Sequence, residues 1–513
     1  MLDTLIKNAR VLDGTGAEAF SADVGLQNGT ICAVGQLSGA QAAQVIDARG
    51  RCLTPGFIDM HRHPDAAALR GELGEAELCQ GLTYLVGGNC GLSLAPLCGA
   101  HAQELVDYLV PITGRFDPAL RFETLGDYLS AAHSAVPCGM LVGMGTLHAL
   151  AAGFSPAPLT PQQKRDVHAM LERALGDGAL GVSLGLGYAP ECFYSTQELI
   201  DVLAPLRGSG VPITVHMRQE GDGVVQALQE MLTVARALRT PVEISHLKAI
   251  GRRNWRSAVP QMLALLRAAR EDGLDVGCDV YPYAAGSTQL LHVLPPEFQR
   301  GGLDALCLAL QDRQQRDAMR ARMETGRDFE NITALVGFEN VYATGLAHAE
   351  NRRFEGQSLA AIARALGKDP FDALFDLLAQ ERCAPGMIDF IADEADIEAI
   401  LRAPFSCVIS DATYPTEGLL HPRVYGAFTR LFEEYVCRRG VLTLAQAVHK
   451  VTELPASRLR LKRKGRIAPG MDADLCLFDP AALHERASFA APRQCAEGMT
   501  LVLLGGKPVL DRR

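Results

Sequence analysis

The chain has 513 residues, of which 48% are hydrophobic, so it can bury a large core in more than one domain. Its formal charge of −10 comes from 59 acidic and 49 basic residues spread along the sequence, which argues against nucleic acid or a membrane surface as a partner. The N-terminus lacks a long apolar stretch, and no run of 18 or more apolar residues follows, so we expect a cytoplasmic protein. The fourteen cysteines form no CxxC pair, which argues against a disulfide framework or a zinc ribbon.

Short strands and turns are predicted at both ends of the chain. Residues 4–54 contain several candidate strands and a Gln-Asn-Gly-Thr hairpin signal. The segments KGRIAPGMDADLCLFDP and MTLVLLGGKPVLDR give further strand pairs with glycine turns near the other end. We therefore expect residues 1–54 and 464–513 to form one small β-sandwich domain.

Eight short apolar strands alternate with amphipathic helices between residues 55 and 463, a pattern that predicts an α/β fold, the parallel (β/α)8 barrel of the TIM type. In chain order the strands lie in GFIDMHRH, TYLVGGNC, CGMLVGMG, ALGVSLGL, PITVHMRQ, PVEISHLK, LDVGCDVYPY and FSCVISDA. Between the last two, about residues 290–403, lies a long segment rich in charged helical sequence. We interpret it as an insertion over the barrel mouth that acts as a lid.

Residues able to bind a metal lie where these strands end, and the carboxyl ends of parallel barrel strands face a common mouth. Alone, each could be a core histidine, an inert thiol or a helix cap. Their coincidence at one end of the barrel predicts a metal site. Imidazole, thiolate and carboxylate together suit zinc with a position left open for water. The candidate ligands are His61, His63, Cys90, His216, His246 and Asp411.

A zinc site of this kind predicts hydrolysis. Zinc lowers the pKa of its bound water from 15.7 to about 7 and polarises a carbonyl oxygen, so that hydroxide can attack at neutral pH. Asp411 is placed to take the proton of the water and pass it to the leaving nitrogen. The ligand types alone also allow a redox metal, although nothing else in the sequence resembles an oxygen-activating facial triad.

The whole chain resembles the amidohydrolase superfamily and, within it, the D-aminoacylase (N-acyl-D-amino-acid deacylase) family. The resemblance rests on PGFIDMHRH, GGNCGLSLAP, TVHMRQEGD, ISHLKAIGRRNW, DVYPYAAGST, VISDA and HPRVYGAFTR. It implies zinc-dependent hydrolysis of the amide of N-acyl-D-amino acids, small-molecule substrates that yield a carboxylate and a free D-amino acid. Hydrolysis of cyclic amides, as by hydantoinase or dihydroorotase, is the runner-up, and a barrel that only binds is a third hypothesis.

The resemblance also implies roles for single residues. Asp411 is expected to carry the proton, and Cys90 to bridge two metals in place of a carboxylated lysine. The residues implied for one tightly bound zinc are Cys90, His216 and His246, and those for a second, weaker site are His61, His63 and Asp411.

Substrate recognition is predicted from cations and hydroxyls near the strand ends. An α-carboxylate on the substrate requires positive charge, for which a bidentate arginine is well suited. Where the sequence departs from its family, Arg62, Asp65, Met144 and His148 are expected to alter the substrate, and the apolar TQLLHVLPP favours a neutral or hydrophobic side chain. Arg218 and Glu220 are expected to pair with each other or to orient the site. The predicted substrate-binding residues are Lys248, Arg423, Tyr188 and Tyr283.

Overall fold

The protein is described by a computed structural model that covers residues 1–117 and 119–513. None of the helices in these two ranges is long and apolar enough to cross a membrane. The strands, β1 to β19 in chain order, are Leu2–Val11, Phe20–Gln27, Thr30–Gly35, Ala42–Asp47, Cys52–Pro55, Phe57–Asp59, Leu82–Gly87, Cys138–Gly143, Gly181–Gly185, Ile213–His216, Val242–Ile244, Val276–Val280, Ala285–Gln289, Val341–Thr344, Gly386–Phe390, Ser406–Val408, Leu475–Phe478, Met499–Leu504 and Lys507–Asp511.

Helices fill most of the chain between the strands. The α-helices, α1 to α18, are Asp65–Leu69, Glu75–Leu78, Ala102–Thr113, Leu125–Ala131, Met144–Ala152, Pro161–Gly176, Thr196–Val202, Val224–Leu238, Ala258–Glu271, Gly302–Ala309, Arg313–Thr325, Ile332–Val336, Leu359–Leu366, Pro370–Gln380, Glu394–Arg402, Arg423–Arg430, Leu444–Val451 and Glu453–Arg458. A π-helix follows α16 at Leu431–Arg438. Short 3₁₀ turns occur at Glu191–Phe193, Ala204–Leu206, Leu290–Val293, Pro296–Gln299, Phe338–Asn340, Arg352–Phe354 and Pro480–Ala482.

Eight parallel strands form the barrel, in the order β6-β7-β8-β9-β10-β11-β12-β16. They are short and buried on both faces, as expected for strands covered by helices. The first and last strands meet where the backbone N–H of His63 donates to Ala412 O at 2.9 Å and that of Asp411 donates to His61 O at 2.9 Å. The barrel is therefore nearly closed, and the prediction of an eight-stranded α/β barrel is confirmed.

The two chain ends build a separate sheet of eight strands, β1 to β5 and β17 to β19. Its path runs β19-β18-β17-β5-β1-β2-β3, and β4 pairs with the other part of β1. The sheet curls, because Ile31 of β3 donates from its N–H to Met471 O, ahead of β17, at 2.9 Å. Side chains from both ends, such as Val24 and Leu501, share one apolar core. The predicted β domain made from both ends of the chain is present.

A smaller antiparallel sheet, in the order β13-β15-β14, lies between the last two barrel strands. Residues of this sheet line the same cleft as the carboxyl ends of the barrel strands. The chain between β12 and β16 thus supplies one wall of the barrel mouth.

Candidate metal centre and substrate cleft

The predicted ligands follow the barrel strands at their carboxyl ends. His216 is the last residue of β10, whereas His61, Cys90, His246 and Asp411 lie two or three residues beyond β6, β7, β11 and β16. Cys90, His246 and Asp411 have φ angles of +54°, +36° and +52°. Such angles are uncommon outside glycine, and strained backbone of this kind clusters at functional sites. The strand ends therefore turn sharply and bring the side chains together.

The turn that carries Cys90 requires its two flanking glycines. Gly88 and Gly91 have φ angles of +70° and +72°. A Cβ atom would lie 2.1 Å from the carbonyl oxygen of Leu141 at Gly88, and 1.8 Å from a carboxylate oxygen of Glu191 at Gly91. Larger residues at these two positions would clash with their neighbours and displace the thiol, which explains these two glycines of the GGNCG motif.

Cysteine and histidine donors meet at the spacing that zinc requires. The Sγ of Cys90 lies 3.3 Å from Nε2 of His61 and 3.5 Å from Nε2 of His246. Nδ1 of His216 lies 3.2 Å from the same Nε2 of His246. Donors placed tetrahedrally around zinc at bond lengths of 2.0 to 2.3 Å are about 3.3 to 3.8 Å apart. Cys90, His61 and His246 thus form a group able to hold a metal ion, and His216 adjoins it through His246.

A second group of donors adjoins the first. Nε2 of His61 and Nε2 of His63 each lie 3.4 Å from Oδ1 of Asp411. His61 belongs to both groups, because its Nε2 also lies 3.3 Å from Sγ of Cys90. This arrangement fits a second metal position that adjoins the first at His61.

Burial favours the protonation states that a metal needs from its histidines. It lowers the pKa of His61 to about 3 and also lowers the pKa values of His216 and His246, so these imidazoles are neutral. Burial raises the pKa of the Cys90 thiol, so the thiolate form requires a cation beside it. Neutral imidazoles and a thiol without its own counter-cation are therefore suited to a metal ion.

Glu220 orients His246 from the side away from the metal. Its Oε1 lies 2.9 Å from Nδ1 of His246, and its Oε2 accepts a hydrogen bond from Nζ of Lys248 at 2.7 Å. Burial raises the pKa of Glu220, but the charge of Lys248 opposes this effect and holds the pKa well below its usual range. Nζ of Lys248 also lies 2.8 Å from Nδ1 of His246, so Glu220 and Lys248 together hold this side of the ring, and Nε2 faces Cys90. Of the two predicted alternatives, pairing of Arg218 with Glu220 is wrong, because Arg218 pairs with Glu230 at 2.9 Å, whereas Glu220 contacts the site through His246 and Lys248.

Asp411 is held as a carboxylate. Burial opposes its ionisation, but the Arg423 guanidinium, with Nη1 2.9 Å from Oδ2 of Asp411, keeps the pKa of Asp411 well below its usual range. His63 adds to this effect through its hydrogen bond. A carboxylate that faces two imidazoles can accept a proton once substrate and water occupy the cleft.

Two of the four predicted substrate-binding residues line the cleft. Lys248 and Tyr188 do so, and the hydroxyl of Tyr188 is 2.9 Å from that of Thr288. Arg423 is completely buried behind Asp411, where its Nη2 donates to the carbonyl oxygen of Ser287 at 2.9 Å. Tyr283 lies outside the cleft.

Tyr281, two residues before Tyr283, takes the place in the cleft. The Tyr283 hydroxyl donates to Oε1 of Glu485, whereas the Tyr281 ring lies 5.9 Å from Nζ of Lys248 and 4.8 Å from Cζ of Arg423. The structure therefore brings Tyr281, and not Tyr283, to the cations. Residues two apart in an extended segment point to the same side only while the strand continues, and β12 ends at Val280.

Comparison with known proteins agrees with this geometry. The model of the amidohydrolase family matches residues 44–510. The chain belongs to this family. The N-acyl-D-aspartate deacylase of Alcaligenes xylosoxydans xylosoxydans is 34% identical over 99% of the chain and 92% of its own length.

Solved structures of deacylases match this amidohydrolase over nearly its full length. The crystal structure of D-aminoacylase has a TM-score of 0.82 at 33% identity and covers 100% of the chain and 97% of its own. The N-acyl-D-glutamate deacylase from Bordetella bronchiseptica, complexed with zinc and a phosphonate inhibitor, has a TM-score of 0.80 at 30% identity, with coverage of 99% and 96%. D-hydantoinase, at a TM-score of 0.55 and 17% identity over 99% and 95%, shares only the fold.

The positions where this amidohydrolase departs from its family pattern do not face the cleft. Arg62 is completely buried, with Nε 3.3 Å from Oδ2 of Asp59. Asp65 accepts the backbone N–H groups of two neighbouring turn residues, and Nδ1 of His148 is 2.6 Å from the Tyr194 hydroxyl. Met144 is buried in the core. The expectation that these four residues alter the substrate is not supported by where they lie.

Sequence reasoning did not single out Asp279 or Asp389. Asp279, the first residue of the DVYPY motif, accepts the backbone N–H of His246 and lies 3.7 Å from Nδ1 of His61 through its other oxygen. An aspartate inside an otherwise apolar strand was the available signal. Asp389 belongs to β15, and no motif marks it.

Proposed function

We propose that this amidohydrolase hydrolyses the amide bond of N-acyl-D-amino acids and uses zinc to do so. The observation that carries the proposal is the meeting of buried cysteine and histidine donors with an ionised Asp411 in a cleft that also contains Lys248. Relatives named as deacylases of this substrate class match the whole chain, which supports the D configuration.

Cys90, His216 and His246 would hold one zinc tightly, and His61, His63 and Asp411 would hold a second metal more weakly. D-aminoacylase, a related structure, has a binuclear metal centre in which one metal activates and the second attenuates. When bound, zinc lowers the pKa of a water molecule to about 7 and polarises a carbonyl group. Glu220 and Lys248 hold the His246 ring from the side away from Cys90.

Asp411 would move the proton. Its Oδ1 faces the cleft side of His61 and His63, and Arg423 keeps it ionised. It accepts the proton of the attacking water and then delivers it to the leaving nitrogen, so that the amine leaves neutral.

The substrate α-carboxylate would bind near Lys248, with the hydroxyls of Tyr188 and Tyr281 at the cleft surface. Lys248 carries its charge firmly, because Glu220, against the effect of burial, raises its pKa. Arg423 does not reach the surface, and we propose that it acts on the substrate through Asp411.

The segment at about residues 290–403 would act as a lid, and residues 1–54 with 464–513 as a domain apart from the barrel. His292, Ile332, Asp389 and Ile391 of this segment line the cleft, which supports the lid. A covered cleft excludes water, which strengthens the interaction of charges inside it.

The experiment is a panel of N-acetyl-D-amino acids, their L-enantiomers and hydantoins, assayed with zinc-loaded protein of measured metal content. We expect hydrolysis of the linear D-compounds and little of the others. If the enzyme opened hydantoins preferentially, it would be a cyclic-amide hydrolase and the proposal would be wrong. If the purified protein contained no transition metal, the zinc centre would be rejected.

A further inference from the structure

The wall of the cleft contains a carboxylate that neither the metal nor the proton transfer uses. Asp389, in β15, lines the cleft and is 2% exposed. Its Oδ1 accepts no hydrogen bond from any side chain or backbone group in residues 1–117 and 119–513. A buried carboxylate oxygen without a donor is costly, and such atoms usually find a partner. The cleft therefore offers an acceptor to a bound molecule.

The space around this carboxylate is kept open by a glycine. Gly286 of β13 is the residue opposite Asp389 in the sheet. A Cβ atom on Gly286 would lie 2.8 Å from Oδ1 of Asp389 and 3.3 Å from the Tyr281 hydroxyl. Gly286 has no positive φ angle, so the need for glycine comes from this space and not from the backbone.

The cations nearest to Asp389 have other partners. Lys248 is 2.7 Å from Glu220, and Arg423 is 2.9 Å from Asp411. Burial raises the pKa of Asp389 to about 6, with Lys248 and Arg423 opposing the increase, so the group is mostly ionised at neutral pH. The Asp389 charge is thus available to a ligand.

The cleft wall also contains apolar side chains. The isoleucines that line it suit an aliphatic chain and provide no cation for an acidic group. They are Ile112, Ile250, Ile332 and Ile391. An aliphatic stem that ends in a positive charge would satisfy both the apolar wall and Asp389.

Building on the proposed function, we propose that Asp389 selects N-acyl-D-amino acids whose side chain is an aliphatic stem ending in a cationic hydrogen-bond donor. The ammonium of D-lysine or the guanidinium of D-arginine has this chemistry. An acidic side chain would meet a like charge in a buried place and be rejected. The specificity would then differ from that of the relatives named for D-aspartate and D-glutamate.

The test compares kcat/KM of the zinc-loaded enzyme for Nα-acetyl-D-lysine, N-acetyl-D-norleucine and N-acetyl-D-glutamate. Norleucine has the same straight stem without the ammonium. We expect the order lysine, norleucine, glutamate. In Asp389→Asn, kcat/KM for the lysine compound should fall by about tenfold to a hundredfold, mainly through KM. For the norleucine compound it should change by less than about threefold.

Asp396→Asn is the matched control. Asp396 is also a buried aspartate, 4% exposed, but it lies in α15 outside the cleft and accepts the backbone N–H of Arg256. This variant should keep the substrate order of the wild type. Asp389→Ser, which has a smaller side chain, repeats the test if the asparagine variant does not fold.

The outcomes separate the two proposals. Wild-type enzyme that hydrolyses the norleucine compound as fast as the lysine compound, or Asp389 variants that lower both equally, would overturn the role of Asp389 and leave the deacylase function intact. Failure of zinc-loaded wild-type enzyme to hydrolyse any of the three compounds would reject the proposed function, and the selectivity with it.

Discussion

The HRH segment after β6 has two faces that differ in which groups their side chains meet. His63 lines the cleft, and the His61 ring lies behind it with Nε2 toward Cys90 and Asp411. Arg62, between them, points to the opposite side, where it has ion pairs with Asp59 at 3.3 Å and Glu77 at 3.5 Å.

Arg62 is buried for a structural reason, whereas His61 and His63 are buried at the candidate metal centre. Arg62 is completely buried, and its Nη2 also donates to the carbonyl oxygen of Val424 at 3.0 Å. A buried charge with this many protein partners belongs to the architecture. On the other face, Nε2 of His61 contacts Cys90 and Asp411, its Nδ1 lies 3.7 Å from Asp279, and Nε2 of His63 contacts Asp411, so these imidazoles belong to the candidate metal centre.

The largest effect is expected on the cleft face, from Asp411→Asn. Loss of the proton carrier should lower kcat by about 10²- to 10⁴-fold, because general acid–base catalysis commonly contributes that much. Zinc should stay bound, since Cys90, His216 and His246 are intact. Turnover and zinc content, measured on the same preparation, check this. Near-normal turnover would remove Asp411 from the proton transfer.

Much of the cleft face was predictable because its signals are local. A histidine or cysteine directly after an apolar strand identifies both the element and the side of the barrel, so all five donors and Asp411 were named from sequence and do meet. The functions assigned to them stay predictions.

What the sequence did not indicate depends on distant contacts or on small angles. The partners of Arg62, at Glu77 and Val424, are far from it in sequence, so its direction could not be read from HRH. Tyr281 and Tyr283 were indistinguishable until the end of β12 was known. The place of Asp389 opposite Gly286 depends on the register between β13 and β15, which no sequence motif indicates.

The face of the HRH segment that carries Arg62 is tested by Arg62→Met. Removing the guanidinium leaves Asp59 and Glu77 buried beside no cation, which should cost about 3–5 kcal/mol. Thermal unfolding should show a clearly lower midpoint, while KM of any folded enzyme stays the same. Arg256→Met is the control, because Arg256 is 72% exposed in its ion pair with Asp393 and should lose at most about 1 kcal/mol. Equal losses in the two variants would contradict the structural role.

Metal removal tests the cleft face through stability. Zinc that binds only the folded chain adds about 2.7 kcal/mol when its free concentration is a hundred times Kd. Chelation should therefore lower the unfolding midpoint of the wild type, and Cys90→Ala should show little such shift. Cys278→Ala, which removes a buried thiol from β12 outside the site, should keep the zinc shift. An unchanged shift in Cys90→Ala would refute Cys90 as a ligand.

The smallest effect distinguishes the two tyrosines after β12. If the Tyr281 hydroxyl binds substrate, Tyr281→Phe should lose one hydrogen bond, worth about 0.5 to 1.5 kcal/mol, and raise KM about twofold to tenfold. Tyr283→Phe loses its bond to Glu485 instead, so the thermal midpoint should fall while KM is unchanged. The pair is matched in chemistry and differs only in which side of the segment each hydroxyl occupies. If KM rose for Tyr283→Phe and not for Tyr281→Phe, then Tyr283 would line the cleft in solution, as the sequence analysis predicted, and Tyr281 would not.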